Sequence, residues 1–322
     1  MKVPLSKMKT QIIKKSSKMS DQPTEVLSIQ GLSKKYGKVL AVNELNLQIL
    51  RGQVFGLLGP NGSGKSTTLG MILGAVNPTS GSYSWFGESG NHKVRRKIGA
   101  ILEAPCFYSY LSAAQNLKVV CEIKEVSHSR IDAVLERVGL LERKNDEFKT
   151  YSLGMKQRLA IASALLSDPD VMILDEPTNG LDPKGIAEIR EIIVSLASEG
   201  RTIVLASHLL DEVQRICSDF AVLNFGEKIF QGKVSDLALE KRLLELKSEN
   251  HEALESFLND SPMVLKFEKK KDIFYPVISD SVSLTAFHKS IIEAGIILNQ
   301  FNQSQNMLEK KFLEILNAEN RG

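Results

Sequence analysis

Gly59-Pro60-Asn61-Gly62-Ser63-Gly64-Lys65-Ser66-Thr67 fits the pattern G-x-x-x-x-G-K-[ST] at every position. The residues before it, 53–58, are mostly apolar and read as a buried strand; those after it, 67–73, read as the first turns of a helix. Strand, glycine-rich turn and helix start are the setting in which such a loop cradles a polyphosphate. Glycines let the backbone turn sharply and come close to the ligand. The N–H groups of the loop and helix start then point at the phosphates. Lys65 is expected on the β- and γ-phosphates, and the Ser66 hydroxyl on Mg²⁺.

Val171-Met172-Ile173-Leu174 is a second continuous apolar run, the pattern of a strand buried on both faces, and it ends in Asp175-Glu176-Pro177. Carboxylates at the C-terminal end of a central strand stand where open α/β sheets bind ligands. Asp175 is expected to hold the metal, directly or through water. Glu176 follows it, and in an extended chain it points the opposite way. It is the group expected to orient or deprotonate an attacking water.

Tyr151-Ser152-Leu153-Gly154-Met155-Lys156-Gln157-Arg158 precedes that strand, with Ser152 at an N-cap position before the helical pattern of 159–166. With these residues the chain resembles the ATP-binding-cassette (ABC) ATPases, the octapeptide resembling a variant of their signature motif. Asn179-Gly180-Leu181-Asp182 resembles their D-loop, which implies a place for Asp182 at the nucleotide. Ser207-His208, after an apolar run over 201–206, resembles their switch histidine, and Tyr36 resembles the aromatic that stacks on adenine. The order and spacing of all six elements agree over about residues 24–234.

Ile98-Gly99-Ala100-Ile101-Leu102-Glu103-Ala104-Pro105 departs from the family's commonest pattern, which has glutamine where Glu103 stands. A carboxylate still suits Mg²⁺, which takes hard oxygen ligands, so Glu103 joins Ser66 and Asp175 as a candidate metal ligand. Glu103 and the Tyr-Ser-Leu-Gly-Met signature resemble the bacitracin- and lantibiotic-type export and self-immunity branch. Leu153 replaces the usual first glycine of the signature, which puts one close backbone approach to the γ-phosphate in doubt.

The resemblance implies an α/β fold of the ABC-type P-loop kind over 24–234: a mixed sheet core, an antiparallel β layer and a helical subdomain at about 105–168. Parallel strands are expected at 54–58, 171–174, 203–206 and 221–225, and edge strands at 26–29 and 41–49. A helix over 184–197 places Ile186, Ile189, Ile193 and Leu196 on one face. Residues 235–322 read as a small α+β domain whose β-α-β-β-α-β order is ferredoxin-like. Lys270 and Lys271 suit its middle hairpin, and an amphipathic helix closes it at 307–316.

Formal net charge is +3, but residues 1–20 carry six lysines and no Asp or Glu, so the rest is net negative. Residues 1–23 are expected to be a basic, disordered tail, with Met19 a candidate start. Three scattered cysteines and five histidines suggest no disulfide framework and no metal cluster. No apolar run reaches the length of a membrane span.

The resemblance implies ATP and Mg²⁺ as cofactors, Glu176, His208 and Lys65 in catalysis, and a head-to-tail pair of cassettes. In that pair each ATP is held by the phosphate loop of one cassette and by Ser152 and Gly154 of the other. It further implies a separate transmembrane permease and a peripheral cytoplasmic place on the inner membrane face, with a peptide, antibiotic or lipid-like substrate exported. No specific nucleic acid is expected. The alternative is a soluble cassette working on nucleic acid, ribosomes or cluster assembly.

Overall fold

In a computed structural model the described residues are 24–89, 92–102, 105–235, 244–279 and 281–303. The basic tail, Glu103 and the closing helix expected at 307–316 lie outside them.

The first layer comes from β1 (Glu25–Tyr36), β2 (Val39–Leu50), β4 (Ser80–Trp85) and β5 (Glu88–Ser89), in the antiparallel order β2-β1-β4-β5. Between β2 and β4 run β3 (Val54–Leu58) and α1 (Lys65–Ile72). After β5 come α2 (His92–Arg95), β6 (Ile98–Ile101) and the helices α3 (Ala113–Lys124), α4 (Arg130–Arg137) and α5 (Leu153–Leu165). Next are β7 (Val171–Asp175), α6 (Pro183–Ser198), β8 (Thr202–Ser207), α7 (Leu210–Ile216), β9 (Asp219–Asn224) and β10 (Glu227–Lys233). The central sheet is ordered β10-β9-β3-β8-β7-β6, parallel throughout except for β10.

The inner strands β3, β7 and β8 are buried along their whole length and almost wholly apolar because both faces are covered. Val54 and Leu58, Met172 and Leu174, and Ile203 and Leu205 join the core beneath α3–α7. Phe55 and Leu57, Val171 and Ile173, and Val204 and Ala206 join the core beneath the antiparallel layer and α1. Alternation along each strand thus fills two layers. A Cβ on Gly56 would lie 2.8 Å from Val213 Cγ1, so α7 seats against β3 only because this residue has no side chain.

The expected parallel strands are all present, joined by β6, which the apolar-run reading did not include, and by the antiparallel β10. Phe225, taken as a strand residue, instead turns the chain: Phe225 and Gly226 have φ of 43° and 84°. Two positive φ values in a two-residue link match the right-handed twist of a hairpin. On α6, Ile189, Ile193 and Leu196 are buried and Ile186 is half-buried.

The remaining sheet holds β11 (Leu244–Ser248), β12 (Val264–Lys270), β13 (Ile273–Ile278) and β14 (Leu298–Gln303), with α8 (His251–Asp260) after β11 and α9 (Leu284–Glu293) after β13. Its order is β12-β13-β11-β14, all antiparallel. The expected β-α-β-β-α-β succession is therefore present. Leu246, Leu254, Phe274 and Phe287 are fully buried in a core of its own. Lys271, at φ 55°, turns the β12–β13 link as expected, whereas Lys270, expected in the same turn, is the last residue of β12 and pairs with Ile273.

Candidate active site

The phosphate loop joins the end of β3 to α1. Gly64, at φ 100°, precedes the helix, and a Cβ there would meet the Ala41 carbonyl oxygen at 2.4 Å. A Cβ on Gly59 would meet the Leu223 carbonyl at 2.3 Å. Glycine at both positions is thus required by space, and at Gly64 by conformation as well. No side chain caps α1, so its first N–H groups stay open to a ligand. The Ser63 hydroxyl is buried with no hydrogen-bond partner among the described residues.

Lys65 begins α1 and is only 5% exposed. Its Nζ donates to the carbonyls of Gly59 at 2.8 Å and Pro60 at 3.1 Å, and lies 3.3 Å from Oε1 of Glu176. The other carboxylate oxygen, Oε2, is 2.8 Å from His208 Nδ1 and accepts the His208 backbone N–H at 3.4 Å. β3, β7 and β8 are neighbours in the sheet, so their C-terminal ends bring Lys65, Glu176 and His208 together.

Asp175 is the buried last residue of β7. Ser66, Asp175, Glu176, Asn179, Gln157, Leu153 and Pro105 line one cleft of about 310 Å³. Asp175 and Glu176 therefore face the same space. The expectation that Glu176 points away from Asp175 is corrected, because the chain is not extended there. Glu176 has φ 47°, and its N–H donates to the Ala206 carbonyl at 2.9 Å.

Tyr36 ends β1 with 48% of its surface exposed, and Lys34 Nζ lies 5.0 Å from its ring centroid. It is not a core residue. Ser152 caps α5, its Oγ accepting the Met155 N–H at 3.3 Å. Ser152 is exposed and, like Gly154, does not line the cleft. Asp182 caps α6, its carboxylate accepting the Gly185 N–H at 2.9 Å. Arg158, in the same octapeptide as Ser152, donates to the Val138 and Gly139 carbonyls and holds the helices together.

Sequence reading missed Glu212. It is buried on α7, where Thr178 Oγ1 donates to its Oε1 and Ser207 Oγ donates to its Oε2 at 2.9 Å. It also missed Gln157, which reaches the cleft from the α5 octapeptide. The signal for Glu212 was faint: one of two adjacent acids in a seven-residue helix.

Residues 42–179 match the family described as ABC transporter. A lantibiotic transport ATP-binding protein of Streptococcus pyogenes is 44% identical over 76% of this chain and 100% of that protein. The chain belongs to the ABC transporter ATPases. A bacitracin transport ATP-binding protein of Bacillus licheniformis is 37% identical over 90% of this chain and 97% of its own length. Among solved structures, a part of an ABC transporter complex from Clostridium perfringens aligns with a TM-score of 0.61 at 30% identity, over 74% of this chain and 96% of that one. A dimeric bacterial ABC transporter cassette aligns with a TM-score of 0.60 at 27% identity, over 65% of this chain and 98% of that one. ATP is the nucleotide of this family, and the chain is an ABC ATPase of the lantibiotic- and bacitracin-related branch.

Proposed function

We propose that this ATPase drives a separate membrane permease in export of a peptide antibiotic or similar amphipathic molecule, and that it works as a head-to-tail dimer. The contact that carries the reading is Glu176 held between Lys65 and His208 at the mouth of the phosphate loop. Glu176 is the group that takes a proton from the attacking water. His208 Nδ1 donates to that carboxylate and fixes its direction. Lys65 leaves Glu176 for the β- and γ-phosphates when ATP enters. Tyr36 offers its exposed face to the adenine.

The residues fit a Mg²⁺ ion. Ser66 and Asp175 put a hydroxyl and a carboxylate into one cleft, and hard oxygens are what this ion takes. Among the described residues no three His, Cys, Asp or Glu side chains form a metal cluster on their own, which suits an ion completed by phosphates and water. Ser66 and Asp175 would hold it, with Glu103 a third candidate; once bound it would neutralise charge on the phosphates.

Dimerisation is supported by the likeness to a dimeric bacterial ABC transporter cassette. In the head-to-tail pair Ser152 and Gly154 of the second cassette complete the site. The likeness to lantibiotic and bacitracin transport proteins supports transport over the nucleic-acid alternative. No helix among the described residues is long and apolar enough to cross a membrane, which suits a subunit carried on the inner face by its permease.

Complementation tests the dimer. Lys65→Ala and Gly154→Asp chains are each expected to be inactive alone, yet a mixture contains dimers with one intact site. Recovery of ATPase activity on mixing supports the shared site, and no recovery contradicts it. For transport, cells expressing the chain with its permease should tolerate more lantibiotic or bacitracin, and Lys65→Ala should abolish the gain. No gain with the wild-type pair would overturn the substrate class.

A further inference from the structure

Glu212 is a carboxylate 3% exposed, and burying an acid is costly unless its oxygens are well satisfied. Here both are, by hydroxyls from two different segments, the end of β8 and the turn after β7. Thr178 Oγ1 donates to Oε1 and Ser207 Oγ donates to Oε2 at 2.9 Å.

Where those hydroxyls sit is informative. Ser207 is the last residue of β8 and directly precedes His208. Its Oγ also accepts the Leu209 N–H at 3.0 Å, so the residues on both sides of His208 are fixed through one hydroxyl. Thr178 lies two positions after Glu176, in a turn where the Asn179 N–H donates to the Glu176 carbonyl at 3.1 Å and the Leu181 N–H to the Thr178 carbonyl at 3.1 Å. Thr178 and Ser207 are themselves buried. Glu212 thus ties together the two strand ends that present Glu176 and His208, without touching either side chain in any described bond.

We propose that Glu212 is a positioning residue that sets the Glu176–His208 separation. This rests on the reading of Glu176 and His208 as the hydrolytic pair. The purpose of the brace is geometric, since a misplacement of about 1 Å at a reacting group can cost about a hundredfold in rate. Removing Glu212 leaves two buried hydroxyls without their acceptor, and the two segments are free to part. An isostere that still bonds both hydroxyls keeps them together.

The test measures kcat, the ATP dissociation constant and the thermal midpoint on the full chain for Glu212→Ala, Glu212→Gln, Thr178→Val and Glu176→Gln. Glu212→Ala is expected to lower kcat about tenfold to a hundredfold, with ATP affinity within about twofold of wild type. Glu212→Gln is expected to restore most of that loss. Thr178→Val is expected to lower kcat in the same direction, and to add little to Glu212→Ala because the two act as one unit. If Glu212→Ala does not fold, Thr178→Val and Glu212→Gln still decide. Wild-type kcat in Thr178→Val, or a fall in ATP affinity and thermal midpoint that tracks kcat without rescue by glutamine, overturns the brace. Glu176→Gln separates the two ideas: activity there removes the hydrolytic pair, whereas inactivity there with normal kcat in Glu212→Ala removes only the brace.

Discussion

His208 Nδ1 lies 2.8 Å from Oε2 of Glu176, so one carboxylate joins the end of β8 to the end of β7. A carboxylate only accepts, and Nδ1 therefore carries the proton in this contact. With Lys65 at 3.3 Å from the second oxygen, Glu176 has little freedom of direction before ATP arrives.

His208→Ala removes the donor that aims the carboxylate. We expect kcat to fall by about a hundredfold with little change in ATP affinity, because His208 does not contribute to the loop. Steady-state hydrolysis and calorimetric ATP binding on the same preparation separate the two. A loss of affinity equal to the loss of rate would place His208 in binding instead.

Tyr36 is half exposed, so Tyr36→Ala should leave the thermal midpoint of the nucleotide-free protein nearly unchanged. Base stacking is worth about 1–3 kcal/mol, and ATP affinity should fall by about fivefold or more. Equal destabilisation with and without nucleotide would assign the ring to packing.

Much of this was legible in the residues. Continuous apolar runs marked β3, β7, β8 and β9 because a strand covered on both faces needs no polar side. The loop at 59–67 was legible because its glycines answer steric demands that no other side chain meets. β6 was not, since Ile98-Gly99-Ala100-Ile101 is short and half small residues. The direction of Glu176 was not, since it depends on a positive φ in a non-glycine residue. Glu212 was hidden for another reason. Its meaning lies in Thr178 and Ser207, distant in sequence and joined only by the order β3-β8-β7 and the packing of α7.

Lys124 gives a pH signature. Its Nζ donates to the Ser163 carbonyl at 2.8 Å, and burial pushes its pKa down from 10.5 to about 8. Below about pH 8 the lysine is charged in both folded and unfolded chains, and folding carries the cost of burying that charge. Between about 8 and 10.5 the folded protein has released the proton while the unfolded chain keeps it. The unfolded state then binds more protons, so this group makes stability rise with pH across that window. Lys124→Met should remove the rise. Urea midpoints at pH 7.5 and 9.5, compared between wild type and variant, check it through their difference; parallel curves would contradict it.

Hydrolysis here depends on Glu176 as the residue that activates water beside the phosphate loop. Glu176→Gln is nearly isosteric, keeps a hydrogen-bonding group toward His208, and removes the negative charge that competes for Lys65. Single-turnover hydrolysis of ATP by this variant, with binding measured in parallel, is the most direct test. We predict ATP affinity at least equal to wild type, turnover lower by about a hundredfold or more, and accumulation of an ATP-bound dimer. Hydrolysis near the wild-type rate would contradict the account and move the proton acceptor away from Glu176.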